Sequence, residues 1–111
     1  MSIALCIGVD INEAKQSGFF VYLTEDLKDY MRSKNKKHFS NIEILFNINP
    51  YKITEYDRTH IGIFKILSED VIIDEDFCSY DDKYVISFFK QFMELCKAAL
   101  KDNKNLFAIG D

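Results

Sequence analysis

Between Val85 and Leu100 the apolar residues Val85, Phe88, Phe89, Phe92, Leu95, Cys96, Ala99 and Leu100 recur at intervals of three and four. That period belongs to an α-helix with one apolar stripe, and it predicts a helix from Lys83 to Lys101. Adjacent Phe88 and Phe89 widen the stripe, so the helix must lie against a sheet or between other helices. Lys97, Lys101 and Lys104 suit its C-terminal end, where the backbone carbonyls concentrate partial negative charge.

The remaining elements must cover that stripe. Ser2 to Val9 is a continuous apolar run with β-branched residues and reads as a buried strand, although its pattern alone leaves a helix open. Asp10, three residues before Glu13, has the spacing of a capping-box variant that opens a helix. Ile11 to Lys34 reads either as one long helix or as a split. In the split, Gly18 breaks the helix, Phe19–Leu23 is a strand of high β propensity, and Thr24 caps a helix from Glu25. The split is preferred: Leu27, Tyr30 and Met31 then share a face, and Arg32, Lys34, Lys36 and Lys37 gather at its end. Asn41 to Asn49 alternates, with Ile42, Ile44, Phe46 and Ile48 pointing one way, which is the clearest strand signal in the chain. Asn49-Pro50 ends it. Ile53, Tyr56, His60, Ile63, Phe64 and Leu67 follow helical spacing and predict a helix over Ile53–Leu67, with Thr54 or Ser68 near its limits and a strand over Ile61–Leu67 as the alternative. Leu106–Ile109 reads as a short final strand. The expectation is an α+β fold in a single domain over residues 1–111. Its small β-sheet contains Ile42–Ile48 and Ile3–Val9 and is packed by about three helices.

A length of 111 residues and 48% hydrophobic content suffice for one core, and ten Phe and six Tyr make it aromatic. One Pro and four Gly argue against a disordered chain. Three cysteines, Cys6, Cys78 and Cys96, are widely spaced and form no CxxC pair, so free thiols are expected rather than a disulfide framework or a zinc site. No apolar run approaches the ~20 residues that span a bilayer, and no secretory leader is recognisable, so a cytoplasmic protein is expected.

Catalytic motifs are missing. No GxSxG, HExxH or glycine-rich phosphate loop occurs. His38 falls in the basic link Ser33–His38, and His60 falls on the apolar face of an expected helix, where packing is its simplest role. No enzymatic activity, cofactor or metal is expected. A pI near 5.1 disfavours direct nucleic-acid binding.

Charge is concentrated instead. Glu69 to Asp82 holds seven carboxylates (Glu69, Asp70, Asp74, Glu75, Asp76, Asp81 and Asp82) and no Lys or Arg, in a chain whose net charge is −4. Val71-Ile72-Ile73 reads as a short strand or a buried anchor, the remainder as an ordered acidic loop, and Asp81 or Asp82 as the cap of the following helix. The EF-hand pattern fails there, because Cys78 takes an oxygen-ligand position and no Glu closes the loop. Phe77 and Tyr80 interleave the charges, as apolar anchors do in a docking face for a basic partner. The expected contact set is Asp70, Asp74, Glu75, Asp76, Phe77, Tyr80, Asp81 and Asp82, extended by Tyr51 and Tyr56 beside Glu55 and Asp57.

In size, acidity, aromatic content and lack of catalytic motifs, the chain resembles small bacterial immunity proteins of the toxin–immunity type, such as those paired with contact-dependent growth inhibition toxins. The stretch Ile72–Asp82 followed by the Val85–Leu100 helix carries most of the resemblance. It implies a cytoplasmic antitoxin that binds one cognate toxin, a basic nuclease such as an RNase or tRNase, and neutralises it by occlusion. The other reading is an adaptor or regulatory module that docks a cytosolic protein or a second copy of itself.

Overall fold

A computed structural model describes residues 2–34, 41–74 and 83–110. Among these residues there are four strands and five helices, in the order β1 (Ser2–Gly8), α1 (Ile11–Gln16), β2 (Val21–Thr24), α2 (Glu25–Lys34), α3 (Ile42–Phe46), β3 (Ile53–Tyr56), α4 (Arg58–Ile73), α5 (Lys83–Asp102) and β4 (Asn105–Ile109). The fold is α+β, as the sequence predicts. Five helices replace the expected three or so, but only α2, α4 and α5 reach ten residues.

The sheet is antiparallel throughout, with strand order β2-β1-β4-β3. Alternation along each strand sorts its side chains. Ile3, Leu5, Val21, Leu23, Tyr56, Leu106 and Ala108 face the main core. Cys6 and Phe107, paired in register, face the opposite side and are covered by Ala14 of α1. Short α1 is therefore a lid on one face, while α4 and α5 pack on the other. Gly8 makes the return into α1 possible: a Cβ there would stand 2.5 Å from the Ala14 amide nitrogen.

The local signals explain most of these boundaries. Asp10 caps α1 by accepting the Glu13 amide at 2.9 Å. The Glu13 carboxylate does not close a capping box; it reaches Lys104 at 2.8 Å and ties α1 to the turn before β4. Thr24 caps α2 through its hydroxyl, which accepts from the Leu27 amide at 3.2 Å, so the split between β2 and α2 holds. Helix α5 spans Lys83–Asp102, within one residue of expectation. It stops because Asn103 adopts a left-handed conformation (φ 59°) and the Lys104 amide turns back to the Ala99 carbonyl at 2.9 Å, a Schellman closure.

Three expectations are corrected. The strand over Asn41–Asn49 is the helix α3, so Ile42–Ile48 is not in the sheet. Ile42, Leu45 and Phe46 are buried at helical spacing, and two cations from α2 hold the end of the turn: Lys28 Nζ donates to the Ile48 carbonyl at 3.1 Å and Arg32 Nη2 to the Phe46 carbonyl at 3.3 Å. The helix expected over Ile53–Leu67 begins at Arg58, because Ile53–Tyr56 pairs with β4 as an edge strand and Asp57 supplies the cap. Its other end passes Ser68, a buried residue whose hydroxyl donates to the Phe64 carbonyl at 2.8 Å, and runs to Ile73. Val71-Ile72-Ile73 is accordingly helix rather than strand; Val71 is a buried anchor of the last turn, while Ile73 points out.

Helices α4 and α5 form an antiparallel hairpin. Arg58 at the start of α4 donates to the Leu100 carbonyl near the end of α5 at 3.3 Å, and the Phe64 and Phe92 rings meet midway at 5.4 Å. Tyr56 and Phe88 extend the ring stack on either side, at 5.1 Å from Phe64 and 5.6 Å from Phe92.

Candidate functional site

The antiparallel hairpin brings the end of α4 and the beginning of α5 to one pole of the molecule. Of the residues that the sequence assigns to a docking face, Asp70 and Asp74 are at this pole. Glu75, Asp76, Phe77, Tyr80, Asp81 and Asp82 lie outside the described residues, as does the proposed cap of α5. Glu69 and Asp70 are in the last helical turns of α4 rather than in a loop, and Asp74 is its C-cap, with its amide donating to the Val71 carbonyl at 3.2 Å. Tyr51 and Tyr56 do not extend this surface. Tyr56 is in the core at the start of α4, a 16-residue helix about 24 Å long, and Tyr51 lies before β3.

Electrostatically the pole is unusual. A helix C-terminus carries partial negative charge and favours cations. The last turn of α4 has no basic residue, and Asp74 follows directly. Glu69 is partly neutralised by Lys65, one turn earlier, at 3.4 Å. Asp70 is exposed. The field of the helix terminus therefore adds to that of the carboxylates, and both attract a cation.

The pole also carries apolar surface. Ile66, Asp70 and Ile73 follow one another at helical spacing on the outward face of α4. Ile66 is 59% exposed, Ile73 78%, and Tyr84 in the first turn of α5 84%. Large apolar side chains left so open beside carboxylates have the composition of an interface anchor. Sequence reasoning missed Ile66, Ile73 and Tyr84, although the helical register of α4, continued five residues beyond Ser68, exposes the first two.

From Tyr84 an apolar groove of about 530 Å³ runs between α5, α2 and the edge strand β2. Its walls include Tyr22, Leu27, Tyr30, Val85 and Phe88, and its charged lining residue is Asp26.

His60, half-exposed in the first turn of α4, places Nδ1 3.1 Å from Asp57 Oδ1, and its own amide donates to the same oxygen at 3.2 Å. The hydrogen bonds from His60 hold the Asp57 carboxyl below its usual range. The arrangement closes a helix N-terminus, and the His60 ring leans on Tyr56 at 5.6 Å. Cys6 and Cys96 are free and buried; burial raises both thiols, Cys96 to about 12, far from the range of a reactive thiolate. Among the described residues no three His, Cys, Asp or Glu side chains gather as metal ligands, and no helix is long and apolar enough to cross a membrane. No protein-family model, curated protein or solved structure matches the chain.

Proposed function

We propose that this chain is a cytoplasmic immunity protein that binds a cognate basic nuclease toxin and neutralises it by occlusion, without enzymatic activity of its own. The observation that carries this reading is the pole of the α4–α5 hairpin: Asp70 and Asp74 at the negative end of α4, flanked by the exposed Ile73 and Tyr84. Nuclease clefts are cationic because they hold phosphate. A carboxylate pole attracts them over distance, and two open apolar side chains supply short-range contact that charge alone lacks. Glu75, Asp76, Phe77, Tyr80, Asp81 and Asp82 would continue the same contact set.

The test uses the full chain and a basic nuclease toxin domain. Affinity should fall steeply as salt rises from about 0.05 to about 0.5 M, because screening shortens the reach of the carboxylates. Asp70→Lys with Asp74→Lys, or Tyr84→Ala alone, should weaken binding by roughly ten- to a hundredfold. Circular dichroism should show the fold intact. Undiminished protection of cells by the double reversal would sink the assignment.

A second reading, a docking module for another cytosolic protein, is favoured by the outer face of the sheet. There the register lines up Tyr22, Ala4, Ile109 and Ile53 in one apolar row, with Tyr22 and Ile53 more than half exposed.

A further inference from the structure

The sheet has two edges, and they are not alike. β3 (Ile-Thr-Glu-Tyr) carries a charge, Glu55. β2 (Val-Tyr-Leu-Thr) carries no charge and no proline, and among the described residues nothing pairs with its outer side. Natural proteins blunt such edges with lysine, proline, bulges or cover, because unpaired main-chain groups recruit another strand. Among the described residues these devices are missing, and the apolar groove of about 530 Å³ lies directly beside the β2 edge. Phe19, two residues before β2, is 52% exposed and has the parity of the core-facing Val21 and Leu23.

These features are mutually complementary under one symmetry operation. We propose that a second copy of this chain docks on the β2 edge, its β2 antiparallel to the first, so that two four-stranded sheets join and Phe19 of each copy enters the groove of the other. A two-fold axis perpendicular to the sheet keeps both core faces on the same side, so residues of equal parity oppose one another. Tyr22 then lies opposite the second copy's Tyr22, or Leu23 opposite Leu23. In the first register Phe19 arrives across from Glu25, in the second across from Leu27. Both positions border the wall formed by Asp26, Leu27 and Tyr30. Antiparallel pairing also keeps the two Glu25–Asp26 pairs at opposite ends of the seam, each facing the uncharged aromatic end of the other strand. A symmetric dimer therefore meets no like-charge penalty, and the edge amides and carbonyls gain partners. This inference goes beyond the toxin-binding reading; it centres on the β2 edge, and the groove it fills reaches the toxin-binding pole at Tyr84.

Sedimentation equilibrium of the full chain tests it. Between about 1 μM and about 1 mM the mass should rise from 13.0 kDa toward twice that value. Phe19→Asp and Tyr22→Lys, both at exposed positions, should each raise the dimer dissociation constant about tenfold or more while circular dichroism stays unchanged. Tyr51→Lys, exposed next to the β3 edge, should leave it unchanged. Amide exchange at Val21–Thr24 should slow as concentration rises. A mass that stays at 13.0 kDa across the range overturns the proposal. So does a dimer that survives both β2-edge variants, or one that Tyr51→Lys loosens as much as they do.

Discussion

Asp57 uses one carboxylate oxygen twice, for the His60 amide and for the His60 ring. The consequence is a pH dependence with a defined sign. The hydrogen bonds from His60 lower the folded-state pKa of Asp57 below its ordinary 3.8. A carboxylate lowered in this way adds stability that is fully present above the ordinary value and is lost as pH falls through the lowered one. Asp57→Asn keeps a capping oxygen and removes the charge. The thermal midpoint of Asp57→Asn should therefore fall below that of the unchanged chain near neutrality. The gap should close as pH drops below 3.8, and midpoints measured across a pH series check this. The cap was legible in principle, since Asp57 precedes an amphipathic run. It was masked because Ile53 and Tyr56 also fit the helical period of that run, and only pairing with β4 shows that they are extended. The acids of the candidate site had the same fate: their charge was evident from the sequence, but their place on a helix end depended on where α4 stops.

At the scale of elements, α3 shows how a correct pattern yields the wrong structure. Ile42, Ile44, Phe46 and Ile48 alternate as a strand does, yet the partner that decides the matter is on another element. Lys28 and Arg32, one turn apart on α2, deliver their donors to the carbonyls of Ile48 and Phe46, and the Arg32 guanidinium sits 5.3 Å above the Phe46 ring. Cations are favoured at that end of a helix. Lys28 is 4% exposed, so its removal leaves a carbonyl without water to replace the donor. Lys28→Met should cost about 1–3 kcal/mol in a denaturant titration. No window of sequence around Ile42–Ile48 contains that information. By contrast α5 was readable from its own period, and α2 from the Thr24 cap that made the split preferable.

Across the whole molecule one core does the binding together. The ring series Tyr56, Phe64, Phe92 and Phe88 crosses from the sheet edge through the helical hairpin. Phe92 is fully buried at its centre. Phe92→Ala should cost about 3–5 kcal/mol, a large fraction of the ~5–15 kcal/mol typical of a domain. It should lower sheet and helix signals in one transition, as calorimetry and circular dichroism together would show. The α+β class was predictable from the mix of periods, but the strand order β2-β1-β4-β3 was not, since no local signal names a strand's neighbour. That order has a consequence in time. β1 meets β4 through pairs such as Cys6 and Phe107, separated by 101 positions. At roughly 5–20 residues per second of translation, a nascent β1 waits about 5–20 s for the strand that seals its inner side. Throughout that interval β1 can close only one edge, against β2, and its other edge stays an unpaired apolar template on the growing polypeptide until residues 105–109 emerge.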